Sequence, residues 1–319
     1  MLGSGSDLSD TKSSKFRAKR KLVSQASNLG LIEAVETKGE PERKQTYWNA
    51  YRCQDRLTAY NGRVHGKYCK TRFCTLCISN RKADLINRYL PELKTWDAPY
   101  FITLTARSIP AKKLKKWVSV FKEAFEIIIG RLKKRHQRGK GVKPVGIQSL
   151  ECNFNPIKRT YNPHFHLIVE NEAVADAILN EWLKLWTPKH ALRKSQNKQR
   201  VRNIEQCLIE VIKYSTKIFT DPDVVRKGEM PQKVYAAALD NIFQAMESHR
   251  IFDRFGFDNP KVNKESKVQA VPESQCKDFV FAAEAYDWVN TKTGERLTEY
   301  EPPAHLILLL EENIDTDAQ

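Results

Sequence analysis

The chain has 319 residues, of which 41% are hydrophobic, enough for one large domain or two smaller ones with a sizeable core. Its 54 lysines and arginines exceed the 38 acidic residues and give a formal net charge of +16. This excess favours a polyanionic partner, either a nucleic acid, whose phosphates release counterions on binding, or an anionic membrane surface. No run of about 20 apolar residues is present, which excludes a membrane-spanning helix, and the N-terminus lacks the apolar core of a secretory signal. We therefore expect a cytoplasmic protein whose seven cysteines are thiols or metal ligands rather than disulfides.

The predicted elements alternate between helices and strands along the chain. Residues 1–45, rich in Ser, Lys, Glu and Gly, are predicted to be mostly disordered, with a short helix near 29–35. Helices are predicted at 78–93, 114–132, 172–186, 201–219 and 233–249, and strands at 100–105, 145–154, 164–169, 279–281, 286–289 and 306–310. The loop between the second and third strands is too short for a helix, which favours an α+β fold with an antiparallel sheet.

Two histidines, His164 and His166, lie two positions apart in a predicted strand, so that both rings point to the same face of the sheet. Neutral imidazole is a common metal ligand. Glu151, in the preceding strand, would lie beside the pair if the two strands were antiparallel neighbours. Two nitrogens and one carboxylate with open coordination positions suit Mg²⁺ or Mn²⁺ and a bound phosphate. The alternative is a pair of surface histidines and an ordinary surface glutamate.

The helix predicted over 201–219 has an apolar side that is complete without Tyr214. Glu210 and Tyr214 lie four positions apart and are neighbours on the polar side, beside Lys213 and Lys217. A phenol is a poor nucleophile at neutral pH unless its phenolate is stabilised, and the lysines or a metal ion could do so. The alternative is an exposed tyrosine on an ordinary Glu–Lys face.

A cysteine-rich segment precedes the first of the three central strands. Four thiolates within 25 positions, counted from 53 through 77, can close a tetrahedral structural zinc site, and His65 could replace one of them. These cysteines are Cys53, Cys69, Cys74 and Cys77. Interspersed cations and aromatic rings suit the phosphates and bases of a nucleic acid, and the cations expected to contact DNA are Lys70, Arg72 and Arg81. Scattered free thiols and a solvated basic surface are the alternatives.

Three sequence elements in fixed order resemble those of the rolling-circle plasmid replication initiators, the Rep branch of the HUH endonuclease superfamily. They are FITLT at 101–105, PHFHLIV at 163–169 and EVIKYSTK at 210–217. The cysteine segment is similar to one that many of these initiators carry. The resemblance covers roughly residues 53 to 219, and it implies a five-stranded antiparallel sheet flanked by helices with a small N-terminal zinc-binding segment.

The resemblance also implies roles for particular residues. It implies that His164 and His166 hold the catalytic metal, with Glu151 as third ligand, and that the hydroxyls of Thr103 and Thr105 lie near the site and contact DNA.

In the reaction implied by the resemblance, Tyr214 would attack the scissile phosphate and leave a 5′-phosphotyrosine and a 3′-hydroxyl that primes synthesis. Glu210 would activate water for the closing cleavage, as in the branch of the family that uses one tyrosine. Lys213 and Lys217 would stabilise the negative charge. A mechanism with two tyrosines is not expected, because this helix contains only one.

The implied partner is plasmid origin DNA, single-stranded or extruded as a hairpin, while a host helicase and polymerase are implied by the family alone. Basic loops at 133–143 and 189–200 would hold flanking DNA. The expected organisation is therefore a disordered basic tail (1–45), a cysteine-rich segment (46–95), an endonuclease core (96–220) and a C-terminal extension (221–319). The alternatives are a conjugative relaxase or single-strand transposase of the same superfamily, and a non-catalytic zinc-containing nucleic-acid-binding regulator.

Overall fold

The computed structural model of the chain describes residues 6–7, 11–212, 232–260 and 276–314. The chain divides into two compact units, each discontinuous in sequence. Unit 1 comprises Met1–Arg81, Ile218–Ala237 and Lys264–Gln319, and unit 2 comprises Lys82–Lys217 and Ala238–Asn263. This division differs from the four consecutive segments expected from the sequence, because the C-terminal strands pair with a strand of the cysteine segment.

The helices and strands of the described residues are numbered here in chain order. The helices are α1 (Thr11–Thr37), α2 (Lys44–Tyr51), α3 (Thr75–Leu93), α4 (Ala111–Gln137), α5 (Glu172–His190), α6 (Ile204–Ile212), α7 (Gln232–Met246) and α8 (Ala304–Ile314). The strands are β1 (Ser6–Asp7), β2 (Arg56–Tyr60), β3 (Arg63–Gly66), β4 (Tyr100–Thr105), β5 (Ile109–Pro110), β6 (Gly146–Asn155), β7 (Thr160–Val169), β8 (Asn197–Arg200), β9 (Phe252–Phe255), β10 (Lys277–Ala282) and β11 (Asp287–Asn290). Among the helices of the described ranges, none combines the length and the apolar character needed to cross a membrane.

Unit 2 is built on an antiparallel sheet in the order β8–β4–β7–β6–β9, with the short β5 also pairing with β7. Side chains alternate along each strand, so one face of the sheet carries a continuous apolar surface. Helices α4 and α5 cover that face, where Phe121 of α4 packs against Phe165 of β7 and Trp182 of α5, with ring centroids 5.2 and 4.8 Å apart. Since the hydrophobic core lies largely on this side of the central strands, part of the opposite face can carry polar groups.

Unit 1 contains a second antiparallel sheet in the order β1–β3–β2–β10–β11. Leu57 and Val64 of this sheet pack with the fully buried Trp288, whose indole N–H donates to the carbonyl of Gln54 at 2.6 Å. Helix α1 packs against α8 through a separate apolar cluster, which comprises Leu22, Ala26, Leu306 and Leu310. The α+β fold with antiparallel sheets flanked by helices is therefore confirmed, with one sheet in each unit.

The predicted disorder of residues 1–45 is wrong over most of that range, because α1 extends from Thr11 to Thr37. This helix lacks a regular apolar stripe, since it buries polar side chains among apolar ones, and those polar residues are Arg17, Lys21, Ser24, Gln25 and Asn28. Such a helix depends on tertiary contacts that a local hydrophobic pattern does not reveal.

Other differences have similar causes. The strand predicted at 306–310 is wrong, because these residues belong to α8; a short apolar run does not by itself distinguish a strand from a helix. The basic loop predicted at 189–200 begins within α5, which extends to His190, and contains the edge strand β8, whose polar sequence shows no apolar alternation. The helix predicted over 201–219 is present as α6 up to Ile212, and its remainder lies outside the described residues.

Candidate metal centres and catalytic face

Glu151, His164 and His166 meet on one face of the unit 2 sheet. The pairing of β6 with β7 places Glu151 directly opposite His164 and Ser149 opposite His166, so all four side chains point to the same face. The Nε2 atoms of His164 and His166 lie 3.3 and 3.4 Å from one carboxylate oxygen, Oε2 of Glu151. The structure thus brings together the three residues that the sequence predicts as metal ligands.

The Nδ1 atoms of both rings are held by neighbouring groups of the sheet. His164 donates its Nδ1–H to the backbone carbonyl of Asn162 at 2.9 Å, and Nδ1 of His166 shares a hydrogen bond with the Thr103 hydroxyl at 3.1 Å. A ring whose Nδ1–H is engaged directs Nε2 to the opposite side, where it becomes a metal ligand once a cation displaces its proton, as in metal-binding histidines. In His164, therefore, the ring is already oriented for a ligand at Nε2.

The electrostatics of Glu151 also favour metal binding. Burial raises the pKa of its carboxyl, but the hydrogen bonds with His164 and His166 outweigh burial and lower the pKa to about 2. The group is therefore ionised at neutral pH, and its contribution to stability is present above its unfolded pKa of about 4.3 and is lost as the pH falls towards 2. The three potential ligand atoms lie within 4.8 Å of one another, so the donor set suits a divalent cation with open positions.

Strand β4 borders this group on the other side of β7. Thr103 lies directly opposite His166 and Thr105 opposite His164, so both threonines share the face of the candidate ligands. The Thr105 hydroxyl donates to Oδ1 of Asn162 at 2.9 Å. Thr103 and Thr105 thus lie near the site, as expected, and Thr103 contacts a candidate ligand directly.

Two positioning residues are absent from the sequence predictions. The side chain of Asn162 joins the end of β4 to β7, because it accepts from Thr105 and donates to the Ala106 carbonyl at 2.7 Å. The side-chain amide of Gln196 accepts from the Thr105 N–H at 2.8 Å and donates to its carbonyl at 3.1 Å, as a neighbouring strand would. The alternation of β7, in which Asn162 precedes His164 by two positions, could have identified Asn162; no local pattern identifies Gln196.

Helix α6 covers the neighbouring part of the same sheet face. Its buried residues Leu208 and Val211 belong to one apolar cluster with Ile147 of β6 and Ile168 of β7, each two positions from a residue of the polar group. Glu210, predicted to activate water, is half-buried in this helix. The three other predicted catalytic residues, Lys213, Tyr214 and Lys217, lie outside the described residues.

The four cysteines of unit 1 form a second cluster. Their sulfur atoms lie within 4.8 Å of one another, and Sγ of Cys77 is 3.7 Å from that of Cys53 and 3.5 Å from that of Cys69. A tetrahedral zinc ion with bonds of about 2.3 Å separates its sulfur ligands by roughly 3.8 Å, whereas a disulfide separates them by about 2 Å. None of the seven cysteines forms a disulfide. The spacing therefore fits a four-thiolate zinc ion.

The surroundings of the cluster support thiolate ligands. Backbone N–H groups of Cys69 and Lys70 donate to Sγ of Cys53 and Cys77 at 3.4 and 3.2 Å. His65, the alternative fourth ligand, instead stacks on Tyr60 in the same sheet with centroids 4.1 Å apart, so the group of candidate ligands comprises the four cysteines.

The three cations predicted to contact DNA flank this cluster. Lys70 and Arg81 are exposed, and Arg72 is half-buried. The guanidinium of Arg81 donates to the Lys70 carbonyl at 3.1 Å, which holds its charge close to the Cys74–Cys77 knuckle. The arrangement presents a basic surface beside the candidate zinc ion.

Comparisons with known proteins agree with the resemblance. The profile of the family described as replication protein matches residues 62–302. Relatives named Protein rep include one from Staphylococcus aureus, 28% identical over 168 residues, which are 47% of this chain and 69% of that protein. Another, from a Bacillus species, is 25% identical over 237 residues, 63% of this chain and 75% of the relative.

A third relative, Protein rep of Bacillus amyloliquefaciens, is 26% identical over 192 residues, 51% of this chain and 54% of that protein. No solved structure matches the chain. Because the family profile covers most of the chain, including the cysteine cluster from Cys69 onward, the histidine pair and α6, this protein belongs to the replication-protein family and is a relative of the rolling-circle plasmid replication initiators.

Proposed function

We propose that the protein initiates rolling-circle replication by nicking one strand at the plasmid origin and later closing it. The observation that carries this proposal is the convergence of Glu151, His164 and His166 on one sheet face, beside α6, in a member of the replication-protein family. A non-catalytic DNA-binding protein has no need for an ionised carboxylate buried against two oriented imidazoles, since buried charge is costly unless it is paired.

Glu151, His164 and His166 would hold a divalent cation, which would polarise the scissile phosphate as a Lewis acid. The phenol oxygen of Tyr214 forms a bond to phosphorus, and the bond from phosphorus to the 3′ oxygen breaks. The phenol proton leaves to solvent or a nearby base, and the departing 3′ oxygen takes up a proton. The resulting 5′-phosphotyrosine conserves the energy of the broken bond for rejoining. A host polymerase would extend the 3′-hydroxyl while a host helicase unwinds the duplex.

Negative charge accumulates on the phosphate in the transition state, so nearby cations stabilise it more than they stabilise the ground state. Lys213 and Lys217 are the cations next to Tyr214 in sequence. His166 is oriented by Thr103 and His164 by the Asn162 carbonyl, so little reorganisation is needed when DNA binds. We assign these neighbours to positioning of the ligands rather than to bond making.

Basic surfaces on unit 2 are candidates for holding the flanking DNA. One cavity of about 340 Å³ is lined by Lys133, Lys143 and Arg254. In the basic segment at 189–200, the ammonium of Lys198 donates to carboxylate oxygens of Glu172 and Asp176 at 2.9 and 2.7 Å. The exposed cations of this segment are better placed than Lys198 to contact phosphates, and they are Lys189, Arg193, Lys194 and Arg200.

The direct test is incubation with supercoiled origin DNA and Mn²⁺, followed by denaturing gel electrophoresis. We expect a nicked product and a covalent protein–DNA adduct, and in Tyr214→Phe we expect the adduct to disappear and the nicking rate to fall by at least about 10³-fold, because the nucleophilic oxygen is removed. The control is Tyr100→Phe, which removes a phenol oxygen from β4 of the same unit and should retain both nicking and adduct formation. If the protein binds the origin but does not nick it with any of the divalent metals tested, the proposed enzymatic function is rejected and a zinc-containing DNA-binding regulator is favoured.

Glu210→Ala should separate the two cleavages. If Glu210 activates the water of the closing step, the first nick should proceed within a few-fold of the normal rate, whereas release of closed single-stranded circles should fall by roughly 10²–10⁴-fold, the usual contribution of a general base. Product topology on gels after multiple rounds measures both steps. An unchanged ratio of closed circles to nicked DNA would argue against this role.

A further inference from the structure

Helix α1 reaches the first cysteine of the zinc cluster through one buried side chain. Lys21 is fully buried, and its ammonium donates to the backbone carbonyls of Tyr51 and Cys53 at 2.6 and 3.1 Å and to Oδ1 of Asp55 at 2.5 Å. An ammonium has three N–H donors, so these three bonds use all of them. The turn that carries Cys53 is thereby held at three points by a helix more than 30 positions earlier in the chain.

The same helix also contacts the other half of the cluster. Ser24, one helical turn after Lys21, donates its hydroxyl towards Sγ of Cys74 at 3.7 Å. The hydroxyl of Thr75, the first residue of α3, donates to the carbonyl of Arg20 at 2.5 Å. One face of α1 therefore bridges the Cys53 turn and the Cys74–Cys77 knuckle, which are separated by about 20 residues.

Charge explains why polar groups are buried here. Four thiolates around one zinc ion carry a net charge of −2, and burying that charge is costly unless cations or hydrogen-bond donors surround it. The backbone N–H groups of Cys69 and Lys70 and the Ser24 hydroxyl donate to sulfur atoms of the cluster, and the Thr71 hydroxyl lies 3.2 Å from Sγ of Cys69. Lys21 donates to the Cys53 carbonyl and so places a positive charge beside the cluster without donating to a sulfur atom. Helix α1 therefore supplies both a hydroxyl and a positive charge to the surroundings of the cluster.

We propose that Lys21 and Ser24 are positioning residues of the four-cysteine zinc centre, and that zinc binding and the docking of α1 form one coupled equilibrium. The proposal rests on the assignment of zinc to unit 1 and is independent of the nicking reaction in unit 2. Coupling between two sites is reciprocal. A change that undocks α1 must therefore weaken zinc binding, and removal of zinc must destabilise the docking of α1 by the same free energy.

The test uses the full-length protein and zinc alone as the ligand. Lys21→Met keeps the length and the apolar stem of the side chain but removes its charge and its donors. We expect its zinc affinity, measured by competition with a chromogenic chelator, to fall roughly 10–100-fold, the usual effect of losing a group that supports a metal ligand. Lys19→Met is the matched control, because Lys19 is exposed on the same helix, and its zinc affinity should remain unchanged.

Hydrogen exchange followed by mass spectrometry provides the reciprocal measurement. Peptides from α1 should exchange slowly in the zinc-loaded protein and much faster after chelation. If α1 stays protected when zinc has been removed, or if Lys21→Met binds zinc as tightly as the unaltered protein, the coupling is overturned.

Should Lys21→Met fail to fold, Ser24→Ala and the exchange of the unaltered protein decide the question. Loss of one hydroxyl should weaken zinc binding by a few-fold, and an unchanged affinity would overturn the role of Ser24. A protein that binds no zinc at all overturns the coupling and the zinc centre together. Nicking of origin DNA, assayed separately, reports on unit 2 and distinguishes that outcome from failure of the proposed function.

Discussion

Replacement of both His164 and His166 with alanine is expected to abolish nicking and Mn²⁺ binding while leaving duplex DNA binding largely intact. The two rings supply both nitrogen ligands. Glu151 alone would bind the cation weakly through one carboxylate, and water molecules would compete with it for the metal. Removal of the cation that polarises the phosphate should lower the nicking rate by several orders of magnitude. Duplex binding depends on counterion release at basic surfaces and should change little.

Three measurements check this prediction together. Isothermal titration reports Mn²⁺ affinity, a mobility-shift assay reports duplex binding, and denaturing gels report nicking. His136→Ala is the matched control, because His136 lies on α4 of the same unit and is exposed, with its Nδ1 paired to the Gly141 carbonyl. If the double variant loses duplex binding to the same extent as nicking, the histidine pair has a structural role instead.

Cys74→Ser is expected to remove zinc from unit 1 and to destabilise that unit severely. Cys74 is fully buried within the cluster, and a serine hydroxyl is a poor replacement for a thiolate at a zinc ion. Zinc binding contributes on the order of 10 kcal/mol to folding in small zinc modules, so we expect the free energy of unfolding of unit 1 to fall by about 5 kcal/mol or more. A chelator should have the same effect on the unaltered protein.

Atomic emission for the zinc-to-protein ratio and thermal unfolding with and without a chelator measure this effect. Cys276→Ser makes the same atomic change in unit 1 but outside the cluster, and it should retain one zinc ion and a chelator-sensitive unfolding transition. Retention of one zinc ion by Cys74→Ser, or equal unfolding curves with and without chelator, would contradict the assignment.

Several features of the site follow from local sequence patterns. Strand alternation places His164 and His166 on one face whatever the neighbouring strands are. The recurrence of apolar residues every three or four positions predicts α4, and the structure confirms a helix there with Leu114, Val118 and Phe121 buried. These patterns predict local structure from the sequence because each depends only on residues close together in the chain.

Long-range pairing lies beyond such patterns. The register that sets Glu151 opposite His164 was expected only as one possible outcome, because a slip of one residue would have turned its carboxylate to the other face. Asn162 and Gln196 were not identified, since their bonds to the end of β4 replace strand pairing that no local sequence encodes.

The amino-acid sequence is sufficient to predict the positive charge, the three central strands with their histidine pair, the cysteine knuckle and the family. Only long-range contacts in the folded chain reveal that β10 and β11 join the sheet of the cysteine segment and that residues 11–37 form a helix packed against its four-cysteine cluster. The physical reason is the same in both cases. Buried polar side chains such as Lys21 are stabilised by partners tens of residues away in the sequence. A local pattern of apolar residues does not predict those partners.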